Sequence, residues 1–510
     1  MQAAQAGCGS RVLKPEHAAV SRCGRLGGGP RSHRRLQPAS AASAIAPHQE
    51  LDVEDKFLAR NLTQFRGSVS PRLTQLHEAC WAAVPSLHMP STRNEEYRYT
   101  DISPLLRSTL EAADKAAEVT AASVAALIPE ECVTSHLVLV NGVLRPELSH
   151  LPQLPEGAYV GGVEGAPEAV AAQLGAQSAG CGGPFSVING AAAQDVVVLH
   201  LPAGTSLEQP LFVLCLSSSS PPGSTTTLVS APRLLLHLEV GASLKLVEEH
   251  APLPLASAPP TAHPQPSSPA AAAAAPYFNC SVVEVALEAG AQLSHGYVCR
   301  EQQGAAHFKA TLVKQATDSS YTLTEARVGG GLTRHDVVVQ QGGPRTQTHM
   351  NHFVLASSNQ LHDLHTKLEL NHPEGVAKQL HKCIVASASG RGVFDGNVKV
   401  NRRAQRSDAG QLSRNLLLAN RATVNVKPNL QIIADDVKCT HGCAVSDLSD
   451  EELFYFRARG ISALAARQAL VASFGAEVTQ RLALKSLLAR VQLDVKQSLG
   501  NAGFSAVTSA

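Results

Sequence analysis

Leu238-Glu239-Val240-Gly241-Ala242-Ser243-Leu244 and Leu287-Glu288-Ala289-Gly290-Ala291-Gln292-Leu293 are two copies of one phrase, and their relation decides the fold. Around them lie short runs rich in Val, Leu and Ile, such as Val196–Leu201, Leu211–Leu216 and Leu234–Val240, parted by Gly and Pro turns. Such runs read as strands without intervening helices. Between the copies, Ala251–Pro276 is a Pro, Ser and Ala tract with too little apolar surface to order itself. With that insert set aside, the phrase returns after roughly two dozen residues, a period that fits one coil of a β-solenoid. A β-sandwich is the competing architecture.

Strand character begins near Ser135, continues through Lys399–Asn401 and Gln431–Ala434, and stops near Val445. Beyond it, Ser449-Asp450-Glu451-Glu452 is a capping box that starts a helix ending at Gly460. A second helix begins near Ser462, with Leu464, Val471, Phe474, Val478 and Leu482 as its apolar stripe. Toward the other end, Leu51 to about Ala126 reads as an all-α module. Ser103-Pro104 starts a helix that continues over Leu105–Val119. The first 47 residues hold Arg11, Lys14, Arg22, Arg25, Arg31, Arg34 and Arg35 against the single acid Glu16, which suits an organelle transit peptide. The expected organisation is a transit peptide over 1–50, a helical domain over 51–134, a β core over 135–446 with a disordered insert at 251–276, and a helical domain over 447–510.

The 43 Lys and Arg nearly balance 42 Asp and Glu, so bulk charge favours neither nucleic acid nor an acidic membrane surface. No apolar stretch approaches the roughly 18 residues of a membrane span. Eleven Cys without a Cys-x-x-Cys pair argue against a disulfide framework and for a reducing compartment. Phosphate-binding, dinucleotide, zinc-protease and serine-hydrolase motifs are all missing, so any ATP must be bound by another subunit.

Six histidines, His349, His352, His362, His365, His372 and His381, crowd one stretch. On a strand, the three-residue spacing of His349/His352 and of His362/His365 points their rings to opposite faces. They read as solvated or hydrogen-bonded surface residues, with a metal site as the lesser alternative. Cys439-Thr440-His441-Gly442-Cys443 carries more information, because an extended chain puts Cys439, His441 and Cys443 on one face. Three ligands from one short strand do not enclose a cluster that commonly takes four. Buried, inert thiols and a structural histidine are the alternative.

Arg391-Gly392-Val393-Phe394-Asp395-Gly396, Asp408-Ala409-Gly410-Gln411, Arg414-Asn415-Leu416-Leu417-Leu418 and the run from Lys427-Pro428 through Lys438-Cys439-Thr440-His441-Gly442 closely resemble the signature region of the SufB/SufD family. Leu453-Phe454-Tyr455-Phe456-Arg457-Ala458-Arg459-Gly460-Ile461 extends the match. Pro90-Ser91-Thr92-Arg93-Asn94-Glu95-Glu96-Tyr97-Arg98-Tyr99-Thr100-Asp101 resembles the family's N-terminal motif and, with the Lys-Cys-Thr-His-Gly form, points to the SufD branch.

The resemblance implies a mainly β protein, a right-handed parallel β-helix between N-terminal and C-terminal α-helical regions. It also implies a non-enzymatic scaffold subunit in the plastid stroma, paired with a SufB-like subunit and docked through its C-terminal helices onto a SufC-like ATPase that alone binds ATP. His441 would be an interface ligand of a transient iron–sulfur cluster shared with SufB, and Cys439 matches the motif beside it. A reduced flavin remains an open cofactor, and Cys443 departs from the small apolar residue expected in the family. Two further readings stand beside this one. One is a β-solenoid carbohydrate-active enzyme using Asp395, Asp435 and Asp436; the other is a purely structural partner of SufB.

Overall fold

The computed structural model describes residues 57–501 apart from 59, 67–69, 222 and 255–275. The expected transit peptide and most of the expected insert therefore lie outside the described residues, while Ala251 and Pro252 close a strand, Ser243–Pro252.

The chain alternates between two sheets of parallel strands. One sheet runs through Val197–Leu201, Arg233–Leu238, Tyr277–Leu287, Ala305–Gln315, Leu332–Gln341, Leu361–Leu370, Arg391–Val400 and Thr423–Ile432. The other runs through Leu211–Ser217, Ser243–Pro252, Gln292–Cys299, Ser320–Arg327, Gln347–Ala356, Val376–Val385, Asp408–Leu417 and Lys438–Ser446. Each pair of successive strands is one coil of a parallel β-helix, and the preferred crossover of parallel strands sets its right hand. Parallel pairing excludes the sandwich, whose strands pair antiparallel.

The echoed phrases are the same turn in neighbouring coils. Gly241 and Gly290 take φ of +68° and +71°, and their flanks are in register, Leu238 beside Leu287 and Leu244 beside Leu293. Later coils fill that left-handed place with Asp318, Arg345, Glu374 and Arg406. An L side chain there costs about 1–2 kcal/mol. A backbone ladder holds it: Gly241 N–H donates to Ala289 O at 2.9 Å, Gly290 to Thr317 at 2.8 Å, Asp318 to Pro344 at 3.0 Å, Arg345 to Pro373 at 3.0 Å and Glu374 to Gln405 at 2.9 Å. From Gly290 onward the position recurs every 27 to 32 residues, longer than the expected two dozen, because the strands of these coils run to 8–11 residues each.

Leu, Val, Tyr and Phe side chains from both sheets fill most of the interior, from Leu137 to Ala434. The outer face of the second sheet, with Val247, Val298, Phe353 and Ile384, is covered by Val471, Val478, Leu487, Val491 and Val495 of the C-terminal helices. Burying each such side chain stabilises the fold by about 1.5–3 kcal/mol. Ser449 caps Asp450–Arg457 by accepting from Glu452 N–H, the serine half of the expected capping box, and Ser462 caps Ala463–Thr479 by accepting from Ala465 N–H at 3.2 Å. Of the expected stripe, Val471, Val478 and Leu482 are buried while Leu464 is exposed. A third helix, Lys485–Asn501, carries much of the packing and has no sequence reading above.

The N-terminal region is not all-α. The helix from Ser103 stops at Arg107, and Thr109–Ala112 is a strand parallel to Thr226–Ser230. Ser103 is no cap; its N–H is held by Asp101 Oδ1 at 2.9 Å. Burial of Leu110 and the sheet pairing override local helix preference. Helices also interrupt the strand region: Glu168–Ala171, Ser178–Cys181 and Gly183–Ala192. The last lays Phe185 and Ile188 against the outer face of the first sheet, where Phe185 stacks on Phe308 at 4.1 Å between ring centres.

Candidate functional site

Lys438–Ser446 is the last strand of its sheet, so no further strand covers its outer edge among the described residues. Its register against Asp408–Leu417 sets Cys439 beside Ala409, His441 beside Gln411 and Cys443 beside Ser413. Ala409, Gln411 and Ser413 are buried and face the interior, so Cys439, His441 and Cys443 form the inward row of the terminal coil. With no coil stacked above, this row opens to solvent: Cys439 is half-buried, and His441 and Cys443 are exposed. The extended strand therefore brings the three sulfur and nitrogen groups to one face, as alternation requires.

The floor beneath them is fixed. Gln411 Nε2 donates to Gln379 Oε1 at 2.9 Å, and Gln379 Nε2 donates to Thr366 Oγ1 at 2.9 Å, a polar ladder across the interior. The ladder needs Gly396 opposite, because a Cβ there would stand 2.0 Å from Gln411 Nε2. Gln411 Oε1 is buried and has no partner, next to His441 in the register. Asn415 Nδ2 donates to Ala444 O at 3.0 Å, which ties the last strand down. Burial pushes the Cys439 and Cys443 thiols up, so both stay protonated at neutral pH.

The histidine stretch is divided between the interior and the surface. His352, His362 and His381 point inward and are fully buried, while His349, His365 and His372 are partly exposed. The opposite facing of each close pair holds. The surface reading fails for His352, His362 and His381 because inward columns here are polar: Cys443, Ser413, His381, His352, Glu325, Tyr297 and Glu248 stack in register down one sheet. Repeated same-face pairs such as Glu325 with Arg327 and His307 with Lys309 were the available signal, but without register such pairs also describe a solvent face. Asp395 lies on the outer face beside Lys427, 3.5 Å from its Nζ, whereas Asp435 and Asp436 lie in the turn before the last strand, so these acids sit on separate elements.

The fold is thus a parallel β-helix whose terminal coil presents two thiols and an imidazole on one open face. The SufBD core domain of the SUF iron–sulfur cluster assembly system matches residues 222–474, and the SufBD N-terminal region matches 55–213. Protein ABCI7, chloroplastic, of Arabidopsis thaliana is 35% identical over 91% of this chain and 95% of its own length. An iron–sulfur cluster assembly SufBD family protein of Synechocystis is 35% identical over 87% of this chain and 95% of its own. The iron–sulfur cluster assembly protein SufD of Escherichia coli is 34% identical over 44% of this chain and 52% of its own. The chain belongs to the SufB/SufD family of iron–sulfur cluster assembly proteins.

Proposed function

We propose that the chain is the SufD-type subunit of a plastid SUF complex, a scaffold and not an enzyme, which lends His441 and Cys439 to a nascent cluster shared with a SufB-like partner. The observation that carries this is the unroofed terminal coil. Its inward row presents a half-buried thiol and an exposed imidazole on a rigid floor, and its strands end the sheets with free edges that a neighbouring chain can meet. A cluster commonly takes four protein ligands, so a partner must supply the remainder. Exposed Phe454, Tyr455 and Leu464 on the C-terminal helices, with Ile461 in the connection between them, give an apolar surface for the SufC-like ATPase, the subunit that would bind ATP. The chloroplastic Arabidopsis relative and the basic leader sequence support a plastid stroma location.

The test is His441→Ala in the mature chain co-expressed with SufB-like and SufC-like subunits. Assembly is expected to be retained while bound iron and acid-labile sulfide fall several-fold. Unchanged cluster content in an intact complex would leave the chain as a structural partner only.

A further inference from the structure

Far from the terminal coil, His250, Glu301 and His307 each bring a ligand-capable atom within 4.8 Å of the other two, and all three residues are fully buried. His250 lies near the end of Ser243–Pro252 in the second sheet, Glu301 follows the next strand of that sheet, and His307 lies across the interior beside Asn279 in the first sheet. The surroundings are arranged as outer partners of a metal usually are. His250 Nε2 faces Glu248 Oε2 at 3.4 Å, His307 Nε2 pairs with Tyr297 Oη at 2.9 Å, and Tyr277 Oη donates to Glu301 Oε2 at 2.5 Å. Such contacts on the far nitrogen fix an imidazole's tautomer and direct the other nitrogen at an ion.

The near atoms satisfy one another only in part. His307 Nδ1 is buried without a hydrogen bond, although Glu301 Oε1 is 3.5 Å away. Asn279 Nδ2 has two hydrogens but faces three acceptors: Glu301 Oε1 at 2.9 Å, Ser217 Oγ at 3.0 Å and His250 Nδ1 at 3.3 Å. Its Oδ1 has no partner. An unsatisfied buried polar atom costs about 1–3 kcal/mol. Amide oxygen and nitrogen are interchangeable assignments. Turning the Asn279 amide over aims its oxygen at the same centre as the two imidazoles and the carboxylate, so that four donor groups converge there.

We propose that His250, Glu301, His307 and the Asn279 side-chain oxygen hold one divalent metal ion of the zinc class inside the β-helix. Two imidazoles with oxygen donors suit zinc, and a closed four-ligand set is the structural and not the catalytic form of such a site. The ion joins strands of three successive coils across the interior. It is distinct from the terminal row, which lies several coils away in the strand order.

The test uses the mature chain carrying Cys439→Ser, His441→Ala and Cys443→Ser, so that the terminal row cannot contribute. It is loaded with Zn²⁺ or Co²⁺ both after purification and by refolding with the metal present. One equivalent is expected to survive gel filtration, with Co²⁺ showing four-coordinate visible absorption and no thiolate charge-transfer band. X-ray absorption of the Zn²⁺ form should show nitrogen and oxygen neighbours at about 2.0–2.1 Å and no sulfur. Glu301→Gln and His307→Asn should each weaken Co²⁺ binding by more than about 100-fold, beyond the loss typical of outer partners. Should those variants not fold, the absorption data on the parent chain decide alone. Folded parent protein that retains no metal by either loading route, or that retains it through sulfur, overturns the proposal.

Discussion

The middle of the β-helix and its last coil use the same inward columns to opposite ends. In the middle, Glu325 meets Arg327 at 2.6 Å, His335 at 3.1 Å and His352 at 2.6 Å, and Glu248 meets Lys309 at 2.9 Å and also pairs with His295. All these side chains are sealed from solvent. A charge in such a place survives only with partners, so the coils above and below supply them. In the last coil the same column positions hold His441 and Cys443, with a coil on one side only. What is matched inside is left free at the end, where an unpaired imidazole on a rigid strand suits the ligand role proposed for His441. The columns are continuous; whether a coil lies above distinguishes structure from site.

The largest effect should come from breaking the matched middle. Burial alone would raise the Glu325 carboxyl, but Arg327, His335 and His352 hold it well below the usual carboxylate range. Glu325→Gln removes the countercharge and strands Arg327 in the interior, which should cost about 3–5 kcal/mol. Urea unfolding of the variant measures this. A loss under about 1 kcal/mol would mean that the interior admits water and that the two regions do not differ in the way described.

Acid should divide the regions next. His362 is fully buried against Thr333 Oγ1 at 2.6 Å, and burial, reinforced by Arg327, pushes its pKa down to about 3. The unfolded chain takes up that proton near pH 6.5 and the folded one does not, so the contribution is whole above that pH and drains away as pH falls toward 3. The slope is about 1.4 kcal/mol per pH unit. Between pH 7 and 4.5, the wild type should lose about 2.5 kcal/mol more than His362→Gln. A stability difference between the two that stays constant over that range would sink the account.

The sequence carried the coil but not its contents. Gly241 and Gly290 could be matched by eye because both glycines meet one backbone demand, a left-handed turn; Asp318, Arg345, Glu374 and Arg406 meet the same demand without glycine and so left no echo. The row of Cys439, His441 and Cys443 followed from strand alternation, which needs no partner strand to be known. The burial of His352, His362 and His381 did not follow, because their satisfaction depends on Glu325, Thr333 and Ser413 in other coils, about 30 residues away by the solenoid period. Thr109–Ala112 was misread for the same cause: its pairing with Thr226–Ser230 is more distant still.

The smallest effect is the most discriminating. His441 is exposed, and none of the hydrogen bonds or ion pairs described above uses its ring, so His441→Ala should change the unfolding free energy of the isolated mature chain by less than about 0.5 kcal/mol, the usual range for surface substitutions. Its inward neighbour Gln411 occupies the same column one coil below, and Gln411→Ala should cost about 1–3 kcal/mol by stripping the donor from Gln379. Two substitutions one coil apart on the same face would then differ severalfold in stability, while only the first lowers cluster content in the assembled complex. If instead His441→Ala destabilised the lone chain as much as Gln411→Ala, the terminal coil would be closed by contacts of its own. His441 would then be a packing residue, and the contrast between matched middle and free end would collapse.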